Sequence, residues 1–238
     1  MKLGGKNIII IGGSSGIGRA VAELCLELGA NITLTSRDRA MAEKVALEIG
    51  KPTIGLGLDI NNEGEVLDFF GSSKEIDHVY IAAGATKLGP LTGGTLGENM
   101  QAFNTRIMGS LRVVKAAVDK MKPFGSVTFT GGISTDRPIA GAWVSGLATS
   151  TAEQLARVLV MEFPHIRFNA VSPGYTDTPM WDTVLGNEKT SILANVAEKL
   201  PVKKIATPAE VASAVVFLMS NGSVTGEVIH VDGGGRLV

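Results

Sequence analysis

The segment 8–19, with the sequence I-I-I-I-G-G-S-S-G-I-G-R, constrains the fold more than any other part of the chain. Its four consecutive isoleucines predict a fully buried strand, because the run is too short for a helix of its own and is bounded by glycine. Gly12, Gly16 and Gly18 then turn the chain into a helix that begins near Ile17. Such a turn favours glycine, which adopts backbone angles that a Cβ forbids and lets a phosphate approach the main chain.

The order strand, glycine turn, helix predicts a phosphate site, since the N-terminus of a helix presents unpaired N–H groups and a positive dipole end. The spacing Gly-x-x-x-Gly-x-Gly differs from the common Gly-x-Gly-x-x-Gly dinucleotide fingerprint. A glycine-rich turn without a ligand is the alternative interpretation. The cofactor-binding residues predicted in this turn are Gly12, Ser14, Ser15, Gly16, Ile17 and Gly18.

Composition restricts the class of protein. The chain has 238 residues, of which 45% are hydrophobic and 19% charged, and no linker or repeat divides it, so we expect one globular domain over residues 1–238. A net charge of −1 argues against a nucleic-acid or membrane partner. The single Cys25 precludes a disulfide framework, no room is left for a signal peptide before the first strand, and no apolar run reaches the length of a membrane span. We therefore expect a cytoplasmic protein.

Seven strand-like segments alternate with helical patterns along the chain, which indicates βαβ units. The predicted fold is α/β, a single-domain Rossmann fold whose doubly wound, mostly parallel, seven-stranded sheet carries helices on both faces. The predicted strands are 8–11, 31–35, 53–58, 78–82, 126–130, 166–171 and 228–231. Among the helices, the longest is predicted over 98–121, and Asp38 is predicted to cap the helix that ends near residue 49. The segment 172–207 is predicted to hold short helices and to form a substrate-binding loop or lid.

Several polar or glycine positions follow directly after predicted strands. They are the glycine turn, Arg37, Asp59, Gly84, Thr130 and Pro173. Ligands of doubly wound sheets bind beyond the carboxyl ends of the strands, so all of these positions are expected along one edge. Their convergence predicts a nucleotide site more strongly than any single motif.

The end of the second strand indicates which dinucleotide is preferred. An NAD site places an acidic residue there to bind the ribose 2′-hydroxyl, whereas this chain has Ser36 and Arg37. A guanidinium and a hydroxyl suit a 2′-phosphate, because arginine donates paired charged hydrogen bonds to its oxygens. The predicted cofactor is therefore NADP(H). A solvated surface arginine before a helix is the alternative.

The chain resembles the short-chain dehydrogenase/reductase family over nearly its whole length. The matching segments are G-G-S-S-G-I-G at 12–18, L-D-I at 58–60, A-A-G at 82–84, I-R-F-N-A-V-S-P-G-Y-T-D-T-P-M at 166–180 and T-G-E-V-I-H-V-D-G-G at 225–234. The resemblance implies that Asp59 and Ile60 flank the adenine and that Ala83 and Gly84 lie beside the ribose. It also implies a homodimer or homotetramer, and a frame around the nicotinamide carboxamide and the phosphates made by Pro173, Gly174, Thr176 and Thr178.

The catalytic residues of that family are not present. The family uses a serine, a Tyr-x-x-x-Lys and an asparagine, and the corresponding positions here are Gly132, Ser145, Thr149 and Arg106. No register rescues the match, because the segment 131–152 contains neither tyrosine nor lysine. Proton donation by a tyrosine of this helix is therefore excluded.

The first functional hypothesis is an NADP(H)-dependent oxidoreductase with an atypical active site, acting on a small carbonyl-like or otherwise activated substrate such as a quinone, conjugated carbonyl or iminium ion. Candidate catalytic groups are Arg106, Ser134, Ser145 and Tyr175. Each has a plain alternative: Arg106 pairs with an acid such as Asp136 or reaches solvent, Ser134 is a turn residue, Ser145 only leaves space, and Tyr175 only covers the nicotinamide.

Two other hypotheses fit the same residues. One is a non-catalytic NADPH-binding protein, such as a redox sensor, regulatory subunit or assembly partner, and the other is a non-redox isomerase or cyclase. Trp143 and Trp181 are candidate walls of an aromatic pocket, with ordinary packing as the alternative. No metal site is predicted, because the three histidines are far apart in the sequence and no cysteine pair accompanies them.

Overall fold

The computed structural model describes residues 2–84 and 88–238, and within them seven parallel strands form one sheet in the order β3-β2-β1-β4-β5-β6-β7. This is the predicted doubly wound α/β fold. The strands are β1 (Asn7–Ile11), β2 (Asn31–Ser36), β3 (Thr53–Gly57), β4 (Ile76–Ile81), β5 (Met121–Thr130), β6 (Arg167–Pro173) and β7 (Val228–Val231).

Helices cover both faces of this sheet. They are α1 (Gly16–Glu27), α2 (Arg39–Ile49), α3 (Glu63–Gly71), α4 (Leu96–Ala117), α5 (Trp143–Glu162), α6 (Met180–Leu185), α7 (Lys189–Lys199) and α8 (Pro208–Ser220). The isoleucines of β1 alternate between the two faces. Ile9 and Ile11 pack in the core beneath α3, α4 and α5, and Ile8 and Ile10 pack beneath α1, α2 and α8. A strand whose side chains are buried on both faces reads as a continuous apolar run, as this one does.

Local signals fix several helix starts. Asp38 accepts a hydrogen bond from the Met41 N–H, which confirms the predicted cap of α2. Thr95 and Thr207 each form a capping box with the glutamate three residues later, so α4 and α8 begin directly after them. The segment 172–207 contains α6 and α7, in agreement with the short helices predicted there.

The prediction of a helix over 98–121 was wrong at its end. Helix α4 stops at Ala117, a 3₁₀ turn follows, and β5 already begins at Met121, five residues before the predicted strand. Pro123 and Gly125 resemble loop residues in the sequence. In the fold, Met121 pairs with Ile76 of β4 across a register shift, so tertiary pairing overrides the local signal.

Helix α5 turns several small residues inward. Ala148 and Ala152 are both buried within the chain. Cys25 is buried in α1, and this burial raises the pKa of its thiol to about 12.

No helix among the described residues is long and apolar enough to span a membrane.

Candidate functional site

The strand order reverses direction between β1 and β4, and this point organises the site. From β1 the chain proceeds outward to β2 and β3, then returns to β4 on the other side of β1 and proceeds outward to β7. The main-chain N–H groups of Ala82 and Ala83 both donate to the carbonyl oxygen of Ile11, at 2.9 and 3.0 Å. The turns after β1 and β4 therefore lie side by side, at the place where doubly wound sheets bind ligands.

The glycine turn is packed so closely that side chains are excluded. Gly12 has a φ of +84°, and a Cβ there would lie 2.9 Å from the Ala83 nitrogen. A Cβ on Gly18 would overlap the carbonyl oxygen of Gly12. These two contacts explain why glycine stands at both positions, and they keep the main chain open to a ligand.

The N-terminus of α1 remains available for an anion. Ser15 precedes the helix with extended backbone, and its side chain makes no capping hydrogen bond. Thr178, from the loop after β6, packs against Gly16 at this end of the helix. The structure therefore brings together the glycine turn and one of the threonines that the family resemblance places at the nicotinamide carboxamide and the phosphates.

The residues after β2 and β3 are arranged as follows. The Arg37 guanidinium is exposed and forms no hydrogen bond or ion pair within the described part of the chain, while the Ser36 hydroxyl accepts a hydrogen bond from the Asp38 N–H. The Asp59 carboxylate accepts two hydrogen bonds from Asn61, both of 2.9 Å. The Ile60 side chain is buried against Gly109 of α4.

The loop after β6 is held at both sides. The Gly174 N–H donates to Val231 of β7, and a Cβ on Gly174 would lie 2.8 Å from the Cα of Asp232. Thr176 forms a bridge with Ala206. The loop thus runs closely along the carboxyl end of the sheet.

An aromatic pair stands on the same loop. The rings of Tyr175 and Trp181 stack with centroids 5.1 Å apart, and the Trp181 indole N–H donates to the Thr176 carbonyl at 2.9 Å. Lys189 at the start of α7 bridges Asp177 and Asp182 at 3.2 and 3.0 Å. The candidate lid is therefore ordered by its own side chains.

The positions of the family's serine, tyrosine and lysine are now visible as a small-residue cluster. Ser145 is buried, and its hydroxyl has no hydrogen-bond partner among the described residues. Thr149 donates to the Ser145 carbonyl and contacts the Thr135 hydroxyl at 3.0 Å. A Cβ on Gly132 would lie 3.0 Å from the Thr149 methyl group. This cluster contains hydroxyl groups but neither the tyrosine nor the lysine that the family uses at these positions.

Glu153 was not identified in the sequence analysis. Its carboxylate is buried, accepts a hydrogen bond of 3.2 Å from the Gly132 N–H and occupies the space that a side chain at Gly131 would need. The only available signal was an acidic residue eight positions after Ser145, which is on the same helix face as Ser145 and Thr149.

Arg106 stands at the family's asparagine position. Its Nη1 donates to the Thr130 carbonyl at 2.7 Å, and its guanidinium packs against Gly84, where a Cβ would lie 2.8 Å away. The alternative in which Arg106 pairs with Asp136 is not observed, because Asp136 accepts a hydrogen bond from His230 Nε2 at 3.0 Å. Burial lowers the pKa of Arg106, an effect that the nearby Tyr80 opposes.

The candidate Ser134 and the second tyrosine of the chain, Tyr80, make contacts that fit structural roles. Ser134 lies in a 3₁₀ turn with its carbonyl oxygen beside Gly146, which fits a turn residue. Tyr80 is fully buried and bonded to the Thr130 hydroxyl, and burial raises its pKa to about 12. Tyr175 is therefore the tyrosine that a ligand at this edge can approach.

Known proteins match the chain over its length. A family model described as enoyl-(acyl carrier protein) reductase matches residues 12–235. The 3-oxoacyl-[acyl-carrier-protein] reductase FabG of Vibrio harveyi is 31% identical over all of both chains. The short-chain dehydrogenase/reductase malC of Malbranchea aurantiaca is 31% identical over 98% of this chain and 95% of its own.

Solved structures agree with these relatives. The structure of the MalC reductase/Diels-Alderase superposes with a TM-score of 0.91 at 28% identity and covers 99% of this chain and 98% of its own. A small-chain dehydrogenase in complex with NADPH gives a TM-score of 0.87 at 27% identity over 98% of this chain and 100% of its own.

Proposed function

The chain belongs to the short-chain dehydrogenase/reductase family of oxidoreductases, and from this premise we propose that it is an NADP(H)-dependent oxidoreductase with an atypical active site. The observation that carries the proposal is the close contact between the glycine turn and Ala83 where the strand order reverses, beside a helix end without a side-chain cap. That arrangement leaves main-chain N–H groups open to a pyrophosphate.

The residues at this edge fit a dinucleotide. The glycine turn and Thr178 would hold the phosphates, and the exposed Arg37 with Ser36 would hold a 2′-phosphate. Asp59, Gly84 and the 173–176 segment would complete the adenosine and nicotinamide contacts. When bound, the cofactor supplies or accepts the hydride, and the protein has to bind, orient and exclude water.

Proton transfer is the step for which this chain differs from its family. The Ser145 hydroxyl is buried and has no partner among the described residues, so we assign it as the candidate donor to a substrate oxygen. Arg106 presents a positive charge between the ends of β4 and β5, where it would stabilise negative charge that develops on that oxygen. Tyr175 is the alternative proton donor and Ser134 the weakest candidate.

The substrate is expected to be activated. Loss of a general acid costs typically about 10²–10⁴-fold in rate, which a quinone, a conjugated carbonyl or an iminium ion tolerates better than a simple ketone. The stacked Tyr175 and Trp181 provide an aromatic surface on the loop after β6, which would contact a flat substrate. Residues 172–207 would serve as the substrate-binding lid.

The test begins with fluorescence titrations of the purified protein with NADPH and NADH. Tight binding with a preference for NADPH supports the cofactor assignment, and binding of neither refutes it. Oxidation of bound NADPH is then followed across activated acceptors. In any reaction found, the rates of Ser145→Ala and Tyr175→Phe should show which of the two residues donates the proton. Unchanged rates in both variants would refute proton donation by either residue.

A second candidate is supported by one comparison. The relative MalC is described as a reductase and a Diels-Alderase, and a cycloaddition requires no proton donor. A cyclase or isomerase in the same pocket would convert its substrate without consuming NADPH. A third candidate, a sensor or assembly partner, would bind NADPH and show no conversion of any kind, so product analysis separates the three.

We also propose a homo-oligomer formed through the outer face of α5. Leu147, Val158 and Met161 are exposed there, and their spacing places them on one side of the helix. Light scattering should give the mass of a dimer or tetramer, reduced in a variant carrying Val158→Glu and Met161→Glu. A monomeric wild-type protein would contradict the proposal.

A further inference from the structure

The Arg106 side chain is partly buried, and its hydrogen bonding is incomplete. Nη1 donates to the Thr130 carbonyl, while Nε is buried without a partner and Nη2 forms no hydrogen bond to a described residue. An unsatisfied buried donor costs about 1–3 kcal/mol, and more when it is charged. Gly84 makes this position sterically accessible to the guanidinium, since a Cβ there would lie 2.8 Å from it.

No acidic side chain compensates this charge. None of the described carboxylates pairs with Arg106, and the residues outside the described ranges are Met1, Ala85, Thr86 and Lys87, which carry no carboxylate. Asp136 is engaged by His230, and Glu153 accepts from the Gly132 N–H. The described part of the chain therefore supplies no counter-charge for this partly buried guanidinium, and Nε and Nη2 are left without an acceptor.

From these contacts we infer that Arg106 binds a carboxylate of the substrate, which makes the substrate class carbonyl compounds that carry a carboxylate. The inference rests on the proposed function and adds a ground-state role to the charge of Arg106. The planar guanidinium retains Nε and Nη2, two donors that match the two oxygens of a carboxylate.

The position of Arg106 favours the substrate over the cofactor as the source of this anion. Its contacts are with Gly84 after β4 and Thr130 at the end of β5, whereas the phosphate turn follows β1. Strand β4 separates β1 from β5 in the sheet. The guanidinium thus lies one strand away from the phosphate turn, between the Gly84 that would contact the cofactor and the end of β5.

The experiment compares acids with their neutral esters. Pyruvate, acetoacetate and levulinate, each beside its methyl ester, are titrated calorimetrically into protein saturated with NADP⁺, a state in which a ketone is not reduced. At least one acid should bind at least roughly tenfold more tightly than its ester. Arg106→Met should abolish the difference, and Arg106→Lys should retain part of it.

The controls separate this inference from the proposed function. The exposed Arg157→Met on α5 should keep the preference for the acid, and NADP⁺ affinity reports whether each Arg106 variant is folded; Arg106→Gln replaces Arg106→Met if the latter does not fold. Equal binding of acids and esters, binding of neither, or a preference that survives Arg106→Met overturns the inference. If the protein binds no NADP⁺, the proposed function is refuted instead, and the titrations are repeated on the free protein. An Arg106-dependent preference for the acid then supports the anion site. The absence of that preference overturns the inference.

Discussion

Arg37 is exposed at the end of β2 and pairs with no other described residue, whereas its neighbour Arg39 is already bonded to Glu43 at 2.7 Å. We predict that Arg37→Ala weakens NADPH binding by roughly 10–100-fold, because charged hydrogen bonds contribute about 1.5–3 kcal/mol each. NADH binding should stay unchanged, since NADH has no 2′-phosphate. Fluorescence titration of both cofactors measures this, with Arg39→Ala as the matched control. An unchanged NADPH affinity in Arg37→Ala would refute the 2′-phosphate assignment.

A substitution at Gly18 tests whether the glycine turn binds the phosphates. Its Cβ would overlap the Gly12 carbonyl oxygen, so Gly18→Ala must displace the main chain that faces the phosphates. We expect NADPH affinity to fall by at least about tenfold. Gly71→Ala is the control, because nothing lies within 4 Å of a Cβ at that end of α3. Wild-type affinity in Gly18→Ala would show that the turn is not the phosphate site.

Strand β6 is joined to the C-terminal end of helix α8 by hydrogen bonds from one arginine side chain. Arg167 of β6 is buried and donates to the carbonyls of Leu218, Met219 and Val224, at 2.6, 2.7 and 3.1 Å. Two of these carbonyls belong to the last turn of α8, where intrahelical partners are lacking and a cation is favourable.

We therefore predict that Arg167→Met lowers the free energy of unfolding by about 3 kcal/mol, because the carbonyls at the end of α8 lose a charged donor. Urea denaturation should show a lower midpoint, with Arg167→Lys recovering part of the loss. Arg157→Met, which removes an exposed arginine of α5, should change stability by less than about 0.5 kcal/mol. Equal stability of the two methionine variants would contradict the role assigned to Arg167.

Most elements could be predicted from the sequence because local chemistry fixes them. The isoleucine run, the glycine turn and the Asp38 cap act within a few residues, and all three have the predicted structure. The early start of β5 was missed because it depends on pairing with Ile76 of β4, which local propensity does not contain. Strand pairing of this kind is determined by the whole sheet.

Contacts between distant side chains within the candidate site were less predictable. Asp136 meets His230, 94 positions away, only after β7 has taken its place beside β6. Arg106 is partly buried and Glu153 is buried, and neither pairs with an opposite charge among the described residues, which no spacing rule anticipates. The family positions predicted which residues to compare, but the hydrogen-bond partners of those residues could be found only in the tertiary structure.

The response of the whole molecule to acid depends on a histidine far from the candidate site. His78 is buried at the start of β4 beside β5, where its Nδ1 contacts the Ser126 hydroxyl at 2.9 Å. Burial lowers its pKa from 6.5 to about 4, an effect to which the positive charge of Arg167 adds and which Asp77 opposes. Above pH 6.5 the imidazole is neutral in both the folded and the unfolded chain, so it adds no pH dependence there.

Between pH 6.5 and about 4, His78 is protonated in the unfolded chain but stays neutral in the folded chain. The free energy of unfolding therefore falls as the pH falls through this window. The shift corresponds to a loss of about 3 kcal/mol. Asp77 and Asp232, whose pKa values are held below the usual range by hydrogen bonds that outweigh burial, contribute stability that is lost only at still lower pH. The two windows are therefore separate in a pH series.

We predict that His78→Asn, whose amide can still bond to Ser126, removes most of the pH dependence between 6.5 and 4. Urea denaturation at a series of pH values measures the free energy of unfolding of this variant beside wild type and His165→Asn, which replaces an exposed histidine. The His165 variant should follow the wild-type curve. If His78→Asn instead loses as much stability as wild type over this range, the acid sensitivity arises elsewhere in the sheet, and the buried neutral imidazole does not control it.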